Sequence, residues 1–256
     1  MIREKTKDGF WCSESVARPD SELWNDVHEV YSLRHACDGF DDFNEPELKR
    51  RLQKVIGGHP DIEIEGEKTE ARDILFELII ASWLSLRGLR VYLPSEHEED
   101  VRFKLHDVLC HLECKRVQTM SALPRRMKKA ASQLRGRLGR AKYQGNRGVI
   151  AVDVSKIFTN SDLPLRGTDW DDTAARFQKA LREFVVDNPP TLMVPRETRI
   201  FAVLFFAGKV GVFDDAGFVS LFGSAVFPLH LESRFNEKLA LRFHYVVDDP
   251  RSEKNV

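Results

Sequence analysis

Apolar residues recur at helical spacing along five stretches of the chain and in strand-like runs along several others, an alternation that predicts an α/β protein. Two helices come first, at 21–36 and 45–56. Leu23, Val27, Val30, Tyr31 and Leu33 give the first its stripe; the second has Pro46 in its first turn and stops at Gly57-Gly58. The stretch 69–87 is apolar nearly all round (Ile74, Leu75, Leu78, Ile79, Ile80, Trp83, Leu84), the mark of a buried helix, with Thr69 placed to cap it and Gly88 to end it. Strands are expected at 89–93, 99–103 and 108–116, the last two joined by a polar turn over 104–107. A helix at 123–141, a strand at 147–154, a helix at 170–185 and a very apolar strand at 199–207 follow. Shorter strands or turns are expected at 210–213, 218–222 and 226–230, and 236–247 fits helix and strand equally. The first 20 residues read as polar and irregular. Residues 1–66 therefore form a helical extension, free-standing or packed on the core, and 67–256 the main domain.

Charge sharpens this outline. The 256 residues are 42% hydrophobic and 31% charged with a net charge of −1, so no uniformly basic coat exists and any surface for nucleic acid must be local. One segment is one-signed: from Lys115 to Val152 there are eleven Lys or Arg and no Asp or Glu. On the helix expected there, Leu123, Met127, Ala130, Ala131, Leu134 and Leu138 make the apolar stripe, while Arg126, Lys129, Gln133, Arg137 and Arg140 share another face. Such a face is often merely solvated; in a nearly neutral chain a long run of one sign reads better as a footprint for phosphates. The charged start lacks the apolar core of a signal peptide, no apolar run reaches the length of a membrane span, and the four cysteines form no CxxC pair. A reducing cytoplasm without membrane partners is the expectation.

The chemistry concentrates in the strand 108–116. Side chains two apart on a strand share a face, so His111, Glu113 and Lys115 point one way and Cys110, Leu112 and Cys114 the other. Asp100, at the start of the partner strand, can bring a second carboxylate to Glu113. Two carboxylates are hard oxygen ligands for Mg²⁺ or Mn²⁺, and a lysine beside them can orient or deprotonate a water or stabilise charge on a phosphate oxygen. The bland counterpart is a cross-strand salt bridge on a solvated face. Glu77 is a carboxylate inside the apolar helix, where it needs a partner or a metal. Asp107 competes with Asp100 but lies in the expected turn, away from Lys115.

The order of these parts resembles the PD-(D/E)XK, or restriction-endonuclease-like, nuclease superfamily. Glu77 on the first helix of the core, Asp100, Glu113-Cys114-Lys115 and Gln133 on the following helix carry the resemblance, over roughly residues 69 to 154. Glu99 stands where the family often has Pro before the Asp. The resemblance implies a restriction-endonuclease-like core, a central mixed β-sheet flanked by helices. It implies a metal-dependent nuclease, acting most simply on DNA, in restriction or another defence system, mobile-element processing or repair. Asp100 and Glu113 would ligate Mg²⁺ (or Mn²⁺) with the backbone carbonyl of Cys114, and Glu77 would take part directly or through water. Lys115 would position the attacking water, with Arg116, Arg126, Lys129 and Gln133 near the nucleic-acid backbone. Double-strand cutting by one site per chain would call for a homodimer or a partner subunit. Two other classes compete: a binding module on the same fold without catalysis, and a structural α/β protein whose triad is only a salt-bridge cluster.

Overall fold

The apolar run beginning at Ile200 is the longest strand in a computed structural model of the chain. The structure describes residues 3–5, 11–13, 21–40, 45–57, 70–95, 100–140, 145–158, 165–167, 169–192, 194, 199–213, 217–230 and 232–248. In chain order the strands are β1 (Arg3–Lys5), β2 (Trp11–Ser13), β3 (Arg90–Tyr92), β4 (Val101–Leu105), β5 (Val108–Arg116), β6 (Arg147–Asp153), β7 (Leu165–Gly167), β8 (Ile200–Phe213) and β9 (Gly217–Pro228). The helices are α1 (Ser21–Asp38), α2 (Pro46–Ile56), α3 (Glu70–Leu86), α4 (Leu123–Leu138), α5 (Ser155–Phe158), α6 (Trp170–Asp187) and α7 (Arg234–Asp248).

The sheet is mixed. Its body runs β3-β4-β5-β6-β8-β9, with β5, β6 and β8 parallel and β3, β4 and β9 antiparallel to their neighbours. A ribbon of β7, β2 and β1 continues beside the far end of β8. The parallel strands are buried on both faces, as all-apolar Val149–Val152 and 200–207 require. On one face α1, α2, α3 and α7 pack against Cys110, Leu112, Cys114, Val149, Ala151 and Leu204; on the other, α4 and α6 pack against Ile150, Val152, Val203 and Phe205.

The first two helices dock on the core. Ala36 and Leu48 belong to the same buried cluster as α3, which explains why α3 is apolar nearly all round: sheet on one side, α1 and α2 on the other. At the turn after α1 the Gly39 amide donates to Ser82 Oγ at 2.7 Å, and a Cβ on Gly39 would lie 2.2 Å from the Ser82 carbonyl oxygen. Only glycine permits that approach.

Several boundaries differ from the expectations. The pieces expected at 210–213, 218–222 and 226–230 are parts of one long hairpin, because pairing runs unbroken from Ala202↔Pro228 to Phe213↔Gly217. The ladder carries the backbone through Gly208-Lys209, which local sequence reads as a break. Residues 236–247 are helical: Asn236, Leu239, Ala240, Phe243 and Val247 are buried at helical spacing, while exposed Phe235, Leu241 and Tyr245 blur the stripe. The turn between β4 and β5 is only His106-Asp107, with His106 at φ 52°, so Lys104 and Leu105 belong to the strand. Thr69, Glu99 and Ala141 lie outside the described residues. Among those described, no helix is long and apolar enough to cross a membrane.

Candidate active site

The antiparallel ladder between β4 and β5 stops at Val101↔Leu112. Just beyond it, Asp100 Oδ2 accepts the Cys114 amide at 2.6 Å, so a side chain takes over from the missing strand. This brings the Asp100 carboxylate to the carboxyl end of β5, where Glu113 and Lys115 point toward the α4 face. Asp107 is at the exposed hairpin tip at the opposite end of the ladder.

Glu113 is 1% exposed. Lys115 Nζ donates to Glu113 Oε1 at 2.8 Å and to the Cys114 carbonyl at 2.8 Å; Arg137 Nη1, from α4, donates to Glu113 Oε2 at 3.0 Å. The Cys114 carbonyl, expected as a metal ligand, thus accepts from Lys115. His111, also on this face, is buried and bonded through Nε2 to Asn146 Nδ2 at 2.7 Å. Burial pushes the Cys110 and Cys114 thiols up, and both face the α3 core as protonated apolar groups.

Glu77 enters from α3, and here the site contains a residue that sequence reading missed. Arg51 of α2 is 3% exposed. Its Nη1 donates to Glu77 Oε2 at 2.5 Å and to the Asp100 carbonyl at 2.9 Å, its Nη2 to the Pro94 carbonyl at 2.9 Å, and its Nε to Glu47 Oε1 at 2.9 Å. The available signal was its register: Arg51 stands three residues after buried Leu48 and four before half-buried Val55, on the apolar side of α2.

Electrostatics separate these groups. Burial, then repulsion from Glu113, raises Asp100 to about 6 against the opposing pull of Lys115 and the Cys114 amide. Burial, then Asp100, raises Glu77 to about 8, more than Arg51 and Lys115 offset. For Lys115 burial acts downward, but Glu113 and Asp100 outweigh it and the net shift is upward, so the side chain stays an ammonium.

Among the described residues no group of three or more His, Cys, Asp or Glu is arranged to hold a metal ion. Mg²⁺ asks for less, since one or two carboxylates suffice when water and phosphate complete its shell. The donor set fits it: Asp100 and Glu113 are hard oxygen donors at adjoining strand ends, and the raised Asp100 marks negative charge close to Glu113 that a divalent cation relieves.

The basic residues divide. Arg137 is drawn in to Glu113. On the same row of α4, Arg126 is half-buried and Lys129 and Gln133 are exposed; Arg140 is exposed two residues past the helix end. Arg116, expected near the nucleic-acid backbone together with Arg126, Lys129 and Gln133, is not on their side of the sheet. Strand alternation turns it to the α3 face, where its Nε donates to Asp153 Oδ2 at 3.2 Å. It lines a cavity of about 60 Å³, partly open to solvent, with Arg72, Phe76, Ser155 and Phe206.

No protein-family model matches the chain, and no curated protein matches it significantly.

Proposed function

We propose that the chain is a metal-dependent nuclease that hydrolyses phosphodiester bonds, in the first place those of DNA, on a restriction-endonuclease-like core. The convergence of Asp100, Glu113 and Lys115 at the end of β5, with Glu77 facing them from α3, carries the reading. Mg²⁺ or Mn²⁺ held by Asp100 and Glu113 would supply charge neutralisation at the scissile phosphate and a more acidic bound water. Lys115 is an ammonium with donors on Glu113 and Cys114, so its role is to orient the water and stabilise a phosphate oxygen; as an ammonium it cannot take the water's proton. Glu77, raised to about 8, holds a proton at neutral pH and serves the site as a neutral hydrogen-bonding group beside Asp100. Arg137 sits where it can exchange Glu113 for a substrate phosphate, and the exposed Lys129 and Gln133 extend that row outward.

A second reading has its own observation. Both oxygens of Glu113 are engaged by cations, as expected of a nucleic-acid-binding module on this fold that does no chemistry. One assay separates the two: plasmid, linear duplex, single-stranded DNA and RNA incubated with Mg²⁺, Mn²⁺ or EDTA, comparing wild type with Lys115→Ala. The nuclease reading expects metal-dependent cleavage that the variant loses by on the order of 10²-fold or more. Salt-dependent binding without cleavage would favour the binding module, and neither binding nor cleavage would leave the cluster a structural one.

A further inference from the structure

We propose that Arg51 is a positioning residue of this site: from α2 it sets the Asp100 backbone and the Glu77 carboxylate against the end of β5, making the helical segment before α3 part of the site. The inference rests on the reading of Asp100 and Glu77 as site carboxylates.

Arg51 joins four parts of the chain that share no strand ladder at this point. Its guanidinium reaches Glu47 within α2, Glu77 on α3, the Pro94 carbonyl after β3 and the Asp100 carbonyl before β4. The bond to the Asp100 carbonyl and the bond from the Cys114 amide to Asp100 Oδ2 grip the same residue from its two ends. Asp100 stands beyond the last ladder pair, so these two bonds, and not strand pairing, determine where its carboxylate points. Glu47 is itself held by Arg50, through Nε to Oε2 at 2.9 Å and Nη2 to Oε1 at 2.6 Å, which fixes the fork from behind. Lysine cannot substitute. Its three donors radiate from one atom, whereas the acceptors here are spread around a planar fork.

A purely structural buried ion pair can be replaced by apolar side chains at little cost. A positioning residue cannot be, and its loss registers at the groups it orients. The amide proton of Cys114 reports the Asp100 carboxylate without metal or substrate. The test compares full-length wild type with Arg51→Lys and Arg51→Ala, the latter with and without millimolar guanidinium. Readouts are the Cys114 amide resonance, Mn²⁺ affinity by calorimetry, and cleavage. Arg51→Ala is expected to move the Cys114 resonance, weaken Mn²⁺ about 10- to 100-fold and lower kcat. Guanidinium is expected to restore all three in part, and Arg51→Lys to stay impaired. Should Arg51→Ala not fold, the double variant Arg51→Gln with Glu77→Gln keeps a neutral hydrogen-bonded pair, and the same shift at Cys114 is expected. An unmoved Cys114 resonance with unchanged Mn²⁺ affinity, whatever the loss of stability, overturns the proposal. Wild type that binds Mn²⁺ but cuts nothing removes the nuclease reading and leaves Arg51 to be judged by the first two readouts. Equal cleavage by wild type and Arg51→Ala removes Arg51 and leaves the nuclease.

Discussion

Glu113 has a cation on each oxygen, Lys115 at 2.8 Å and Arg137 at 3.0 Å, whereas Glu77 and Asp100 share the reach of one guanidinium that also serves Glu47 and Pro94. Glu113 is buried, and Glu77 and Asp100 are half-buried. At the Glu113 end the chain supplies the compensating charge itself. At the other end burial wins, helped by repulsion from Glu113 at Asp100 and from Asp100 at Glu77, and both carboxyls are raised. The contrast separates two uses of a buried acid. One is an ion pair whose removal takes from two cations the anion they share; the other is a store of under-compensated charge whose natural relief is a proton or a metal ion.

The largest effect on stability is expected where the comparison is sharpest. Glu113→Gln leaves Lys115 and Arg137 without their shared anion at a site that is 1% exposed, and should cost about 3–5 kcal/mol in urea unfolding. Glu77→Gln replaces a group that is mostly protonated at pH 7 by a neutral isostere, and should not lower stability. Equal losses from the two variants would erase the distinction between the two ends.

pH tests the same contrast with a smaller signal. Asp100 is raised from 3.8 to about 6 and Glu77 from 4.5 to about 8. Between their ordinary and folded values, the folded chain keeps protons that the unfolded chain has released. The stability these groups contribute is therefore fully present below about pH 4 and is lost as pH rises through 6 and then 8. Each group contributes a slope of up to about 1.4 kcal/mol per pH unit within its own window. Mg²⁺ competes with the same protons, so its affinity should climb over that range while metal-free stability falls. Denaturant titrations in EDTA from pH 5 to about 9 check this. In Glu77→Gln the decline between 6 and 8 should shrink by the share Glu77 contributes; if it persists undiminished, another group is responsible.

Glu77 was legible because a carboxylate in a helix apolar on all sides has no ordinary surface to occupy. Arg51 carries the mirror-image signal, a charge on the apolar side of α2. It is masked because Glu47, Arg50, Arg51 and Lys54 also spell the i,i+3 and i,i+4 pairs of a solvated helix. Arg116 illustrates the opposite error: the two-residue alternation that groups Glu113 with Lys115 assigns Arg116 to the other face, yet proximity in sequence associates it with the phosphate row. That Arg137 turns inward depends on how closely α4 lies against β5, a tertiary distance that no local pattern carries. The three-residue strands β2 and β7 are held by partners far along the chain, β1 by its neighbour β2, and the long β8–β9 hairpin draws its continuity from the ladder across its glycines.

The smallest effect is expected on the α4 row outside the carboxylate cluster. Lys129 is exposed on the row that ends at Arg137, so its charge can serve a phosphate without first leaving Glu113. Lys129→Ala should keep unfolding stability within about 0.5 kcal/mol of wild type. In duplex binding measured against salt, it should reduce the magnitude of the log–log slope by about 0.9, one phosphate contact. Arg137→Ala should differ on both counts, losing stability because Glu113 keeps a single cation and weakening binding only by the part of its charge that Glu113 does not already neutralise. If Lys129→Ala leaves the slope unchanged, the row is a solvated face, and whatever nucleic acid the chain holds is contacted elsewhere. If the two variants shift the slope equally, Arg137 is as available to phosphate as an exposed lysine, and the internal balance at Glu113 is looser than its distances imply.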